Sequence, residues 1–157
     1  MQSQSLIRST EYYVIFTQGV THWITKWLRR DFSHIYLLTK DDYNWVLLNP
    51  TRRYLQVTIL PIPITQSPLP NLLKDGDTIL HIVFGKRDCT RQFGAVGMLN
   101  CVTWAKYILG LRINCLTPFG LYKRLINLCS RWKGYHAILS IKEVCYDRSC
   151  NAMEQRA

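Results

Sequence analysis

The chain of 157 residues has no hydrophobic run long enough to cross a bilayer: its longest apolar stretches, YLQVTILPIPI and TILHIVFG, are broken by polar residues or proline. A membrane-spanning helix is therefore not expected. The first residues, MQSQSLIRSTEYY, lack the basic start, apolar middle and small-residue cleavage site of a signal peptide. That points to the cytoplasm, or to a particle assembled there. Acidic residues are scarce, ten against twenty Lys and Arg, for a formal charge of +10. Such a balance favours nucleic acid, anionic lipid or an acidic protein as partner, without selecting among them. No internal repeat, low-complexity run, cofactor fingerprint or nucleic-acid-binding motif stands out.

What is present suits one compact domain. Apolar residues make up 48% and charged residues 19%, with nine tyrosines and five tryptophans, enough to offset the ordering entropy of a chain this size. Length bounds the domain count at one. The six cysteines (Cys89, Cys101, Cys115, Cys129, Cys145, Cys150) come without an export signal, so free buried thiols are expected rather than a disulfide framework.

The β-branched and aromatic EYYVIFT (residues 11 to 17) reads as a strand. In VTHWITKWLRR (20 to 30), Val20, Trp23, Ile24, Trp27 and Leu28 share one helical face. SHIYLLTK and WVLLNP flank the turn residues DDYN and form a hairpin, which RYLQVTILP (53 to 61) extends. Pro61, Pro63, Pro68 and Pro70 crowd an irregular crossing, with a turn of helix expected at 71 to 74.

TILHIVFGK (78 to 86) returns to strand, and the glycine-bearing, basic GKRDCTRQFGAVG (85 to 97) reads as a loop. A helix is expected over 100 to 109 with Gly110 as its C-terminal stop. A second follows Thr117 and Pro118, with Leu121, Tyr122, Leu125, Leu128 and Cys129 on one face. YHAILSIKEVCY (135 to 146) reads as a last strand. The order predicts an α+β fold with a mainly antiparallel sheet packed against helices, over residues 1 to 150, and a frayed tail at 151 to 157.

In GMLNCVTWAKYILG (97 to 110), Cys101 falls in the first turn of a helix, where unpaired N–H groups and the helix dipole favour an anion. A thiol so placed is expected to have a lowered pKa, and its thiolate is the nucleophilic form. A base is needed too. His34, at the start of the hairpin, is the best candidate, and Asn49, at the end of the next strand, returns beside it and could orient the ring. For any single cysteine the ordinary role is filling a core.

FSHIYLLTKDDYNWVLLNP followed much later by LNCVTWAKYILGL resembles the circularly permuted papain-like superfamily, which includes permuted NlpC-type hydrolases and lecithin retinol acyltransferase-like proteins. Together with TPFGLYKRL, the likeness extends to small bacteriophage proteins of this group and covers residues 32 to 125. It implies a cysteine peptidase or amidase with Cys101 as nucleophile, His34 as general base and then acid, and Asn49 as orienting group. The backbone N–H of Cys101 would help bind the oxyanion. Many relatives carry an acidic residue at the third position, where Asn49 stands here. The implied substrate is a peptide, in peptidoglycan or in another virion protein, and the implied location is the bacterial host cytoplasm or the virion.

Two other readings compete. A non-enzymatic virion or interaction protein would keep the fold and hold a partner through its basic, aromatic surface. Direct nucleic-acid binding would use Arg29, Arg30, Arg52, Arg53, Lys86, Arg87, Arg91, Lys123, Arg124, Arg131 and Lys133, with Tyr54, Tyr122 and Trp132 near some of them. The pair in CYDRSC (145 to 150) would need distant ligands such as His136 or His22 to hold zinc, so no metal site is expected. His81, within TILHIVFG, is expected to be a satisfied core or sheet-face histidine.

Overall fold

A computed structural model describes residues 10–18, 32–51, 54–84, 100–131 and 138–144. Six strands form one sheet: β1 (Thr10–Thr17), β2 (His34–Lys40), β3 (Trp45–Pro50), β4 (Leu55–Leu60), β5 (Thr78–Phe84) and β6 (Ile138–Val144). Their order is β4-β3-β2-β1-β5-β6, and every neighbouring pair is antiparallel. With α1 (Leu69–Leu72), α2 (Cys101–Leu109) and α3 (Pro118–Arg131), the class is the expected α+β. The amphipathic segment expected at 20 to 30, the loop at 85 to 97, His22, Cys89 and the CYDRSC pair lie outside the described residues.

β1 explains why the sheet is covered on both faces. Its run Val14, Ile15 and Phe16 is fully buried, so alternate side chains must enter two different cores. On one face Val14, Phe16, Ile35, Leu37, Leu80, Ile82 and Phe84 pack with Val102, Ala105 and Leu109 of α2 and Leu121 and Leu125 of α3. On the other, Ile15, Leu38, Trp45 and Ile79 pack with Leu73, and Leu69 and Leu72 of α1 lean against them. Each such side chain contributes about 1.5–3 kcal/mol by leaving water.

The hairpin that carries His34 is set by its turn. Asp41 Oδ1 accepts from the N–H groups of Tyr43 at 2.7 Å and Asn44 at 2.6 Å, and the Asp41 N–H donates to the Asn44 carbonyl at 3.0 Å. These bonds hold the Asp41 carboxyl below its ordinary pKa. They fix the register in which Lys40 faces Trp45 and Leu37 faces Leu48.

α1 begins two residues earlier than the turn of helix expected at 71 to 74. Pro68 and Pro70, which argue for breakage inside a helix, lie instead at its start, where a missing N–H costs nothing. α2 has both of its expected ends. Asn100 Oδ1 accepts from the Thr103 N–H at 2.8 Å, and Gly110 takes the left-handed conformation (φ 65°). The Leu111 N–H then reaches back to the Lys106 carbonyl at 2.8 Å, closing a Schellman-type stop. α3 starts as expected, with Thr117 Oγ1 accepting from the Gly120 N–H at 3.1 Å. Leu121 and Leu125 of its predicted face are fully buried, and Tyr122 and Leu128 pack at the margin.

Asn100→Ala removes the α2 cap. It is expected to cost about 1 kcal/mol in a urea titration, whereas Asn100→Ser, which keeps an acceptor, restores most of it.

Candidate active site

The structure joins two of the three predicted site residues directly. His34 opens β2 and Asn49 is near the end of β3, and the His34 Nε2 lies 2.9 Å from Asn49 Oδ1. A carbonyl oxygen only accepts, so Nε2 carries the proton and the other nitrogen of the neutral ring, Nδ1, keeps its lone pair. The hydrogen bond thus selects the tautomer and leaves Nδ1 as the basic atom. In Asn49→Leu the ring loses that constraint. Nitrogen chemical shifts of His34 at a pH where it is neutral should show the Nε2–H tautomer in the parent and a mixture in the variant.

The third residue comes close by another route. Cys101 is half-buried at the start of α2, and α2 packs across β2 and β3. The backbone N–H groups of Ile35, the residue after His34, of Val102 and of Cys101 itself act on its sulfur in favour of the thiolate. The helix start and the strand start therefore meet at the thiol. Among the described residues no hydrogen bond joins Cys101 to His34. Alternation along β2 explains the gap. Ile35 and Leu37 face α2, whereas His34 has the parity of Tyr36 and Leu38, which belong to the opposite core. Asn49 has the parity of Trp45 and Leu47, also on that side.

The electrostatics correct one expectation. Burial pushes the Cys101 thiol up, and the three backbone N–H groups pull in the other direction without prevailing. The helix start acts with the predicted sign, but desolvation of the thiolate outweighs it, so the resting sulfur is a thiol. Because the folded state holds this proton more tightly, the group's contribution to stability is complete below the ordinary thiol pKa. It is lost as the pH rises through the higher, folded value.

The other candidates fall away from this point. His81 on β5 faces Tyr13 on β1, whereas His34 faces Thr17. The two histidines are thus on opposite sides of β1 and four residues apart along it, roughly 13 Å at ~3.3 Å per residue. The His81 ring stacks on Tyr13 with centroids 4.5 Å apart, and its Nε2 lies 3.5 Å from the Glu11 carboxylate without a hydrogen bond to it. It lies on the sheet as expected, but its Nε2 is not satisfied by a hydrogen bond among the described residues. Cys115 is half-buried beside Lys106 and Arg124, and burial again raises its thiol. Cys129 is on α3, its side chain outside the described set.

Of the basic residues, Lys123 and Arg124 are exposed on α3, with the Lys123 ammonium 4.8 Å from the Phe119 ring centroid. Arg29, Arg30, Arg52, Arg53, Lys86, Arg87, Arg91 and Lys133 lie outside the described residues. Among the described residues there is no helix long and apolar enough to cross a membrane, and no group of three or more His, Cys, Asp or Glu side chains suited to a metal ion.

Sequence reasoning looked for side chains and so missed the Ile35 amide, which no residue-type signal marks. Comparison of the chain with family models, with curated proteins and with solved structures found no match.

Proposed function

We propose that this chain is a cysteine-dependent hydrolase of permuted papain-like arrangement, a peptidase or amidase that works through a thioacyl intermediate on Cys101. The observation that carries the reading is the 2.9 Å bond from His34 Nε2 to Asn49 Oδ1, which leaves Nδ1 basic one residue from the amide that acts on the Cys101 sulfur. A papain-type dyad requires a histidine so oriented.

The chemistry balances with these groups. As Sγ bonds to the substrate carbonyl carbon, its proton passes to His34 Nδ1 and the carbonyl π electrons move to oxygen. Collapse of that adduct expels the amine, which takes the proton from Nδ1 and leaves a thioester. Water then adds with His34 as base, and the acid and the free thiol are released. Because the resting sulfur keeps its proton, transfer to His34 accompanies attack. Catalytic hydrogen bonds that are long in an empty site commonly close only with substrate. Peptide is the substrate class favoured by the resemblance to NlpC-type enzymes. A phage origin, in virion or host cytoplasm, rests on the likeness of LNCVTWAKYILGL and TPFGLYKRL alone.

The test is a burst of p-nitrophenolate from p-nitrophenyl acetate. A burst stoichiometric with protein, kept in Cys115→Ser and absent in Cys101→Ala, supports the reading. A rate unchanged in Cys101→Ala overturns it.

One observation favours a second reading, a non-enzymatic virion or interaction protein that retains the fold. His34 and the sulfur have no hydrogen bond among the described residues, and strand parity sets them on opposite faces. In that case Cys101 is a core thiol and the His34–Asn49 bond simply closes the open end of the hairpin. The same experiment separates the two.

A further inference from the structure

We infer that the outer edge of β4 pairs with β4 of a second copy of this chain, antiparallel and centred on Val57, joining two sheets into one. The inference does not depend on the hydrolase reading.

β4 ends one side of the sheet, and among the described residues no strand lies beyond it. The hairpin that joins it to β3 decides which of its backbone groups are left over. The Thr51 N–H donates to the Tyr54 carbonyl at 2.9 Å, which makes Thr51 and Tyr54 a hydrogen-bonded pair. In an antiparallel ladder such pairs alternate with pairs that exchange no bond. Pro50↔Leu55, next along, is of the second kind, the kind that asks no N–H of Pro50, and so are Leu48↔Val57 and Val46↔Ile59. Gln56, Thr58 and Leu60 therefore bond to β3, and the N–H and C=O groups of Leu55, Val57 and Ile59 point out of the sheet's edge.

An exposed edge is ordinarily guarded by a charge, a proline or a bulge. β4 has none of these: LQVTIL is uncharged and free of proline, and its register against β3 is unbroken. β6, at the other side of the sheet, carries Lys142 and Glu143. On the face that carries Leu48, Val57 is 58% and Ile59 64% exposed.

Self-complementarity names the occupant. Pairing β4 with its own copy about Val57 sets Val57 opposite Val57 and Leu55 opposite Ile59 on that face, and Gln56 opposite Thr58 on the other. Residues with outward backbone groups then meet as hydrogen-bonded pairs, with apolar against apolar and polar against polar. Charge points the same way. The chain carries +10, yet no charged residue occurs from Tyr54 to Leu73, so two copies meet at β4 without setting like charges opposite each other. Antiparallel pairing also sends the two hairpin turns, each with Arg52 and Arg53, to opposite ends of the joined strands. The two-fold axis closes the assembly as a dimer and leaves no β4 edge free.

The test is sedimentation equilibrium of the full chain over a concentration series. The parent is expected at twice 18.4 kDa and Val57→Lys at 18.4 kDa, because two lysines then face each other across the axis. Val57→Thr, uncharged and of similar shape, should stay dimeric. Mixing Val57→Lys with Val57→Glu should restore the dimer, since position 57 meets itself only in this register. Hydrogen exchange of the parent needs no variant: the Val57 and Ile59 amides should be protected where the dimer forms and exchange quickly on dilution. A parent that stays at 18.4 kDa, a dimer that folded Val57→Lys retains, a Lys and Glu mixture that remains monomeric, or fast exchange of both amides at every concentration overturns the inference.

Discussion

Replacing His34 with alanine is expected to slow acetylation of Cys101 by p-nitrophenyl acetate by about 10²–10⁴-fold, the range for loss of a positioned general base. The size follows from the state of the thiol. Burial keeps the Cys101 sulfur protonated at rest, so attack requires an acceptor for its proton, and His34 Nδ1 is the lone pair that the Asn49 hydrogen bond leaves available. Two accompanying effects separate this from mere loss of structure. Acetylation in the parent should be slower in D2O, since a proton moves with the attack. Alkylation of Cys101 by iodoacetamide in the resting protein should be no faster at neutral pH than that of an ordinary thiol, and should climb with pH beyond the usual thiol range. Asn49→Ala should lower acetylation less than His34→Ala does, because the base remains but its tautomer is no longer fixed.

The second large effect lies in the core beneath the site. Phe16→Ala is expected to destabilise the protein by about 3–5 kcal/mol, a large share of the 5–15 kcal/mol that holds a typical domain together. Phe16 is fully buried and meets Phe32 and Tyr122 edge-on, each with ring centroids 5.6 Å away. Phe32 in turn lies 5.2 Å from Phe119 and 4.9 Å from Tyr122. Removing the ring leaves a void in a close-packed core that its neighbours cannot fill without moving backbone. Urea denaturation followed by tryptophan fluorescence measures the loss; Phe16→Leu, which retains most of the volume, should recover much of it. Phe16 faces Ile35 across β1 and β2, so the same variant should also loosen the strand start at the site.

The hairpin was legible because its signals are local. Asp and Asn at the turn bond their own backbone, and once that reversal is fixed, Asn49 has to come back beside His34. The stop of α2 and the start of α3 were legible for the same reason, through Gly110, Thr117 and Pro118. The sheet order was not, since seating β1 between β2 and β5 depends on pairings of distant segments. The start of α1 was misread because proline breaks a helix interior yet suits a first turn. At the site, the residue types suggested Cys101, His34 and Asn49, but the balance between helix dipole and burial at the sulfur required the packed structure. Strand parity, which turns His34 away from α2, required the register of β1 against β2.

The most direct measurement is the intact mass and peptide map of the protein after a single turnover with p-nitrophenyl acetate, in the parent and in His34→Ala. An acetyl group that forms on Cys101 in the parent, disappears with time, and barely forms in His34→Ala is the predicted result. An acetyl group absent from Cys101, or formed there at equal rates in both proteins, would contradict a His34-activated Cys101 nucleophile.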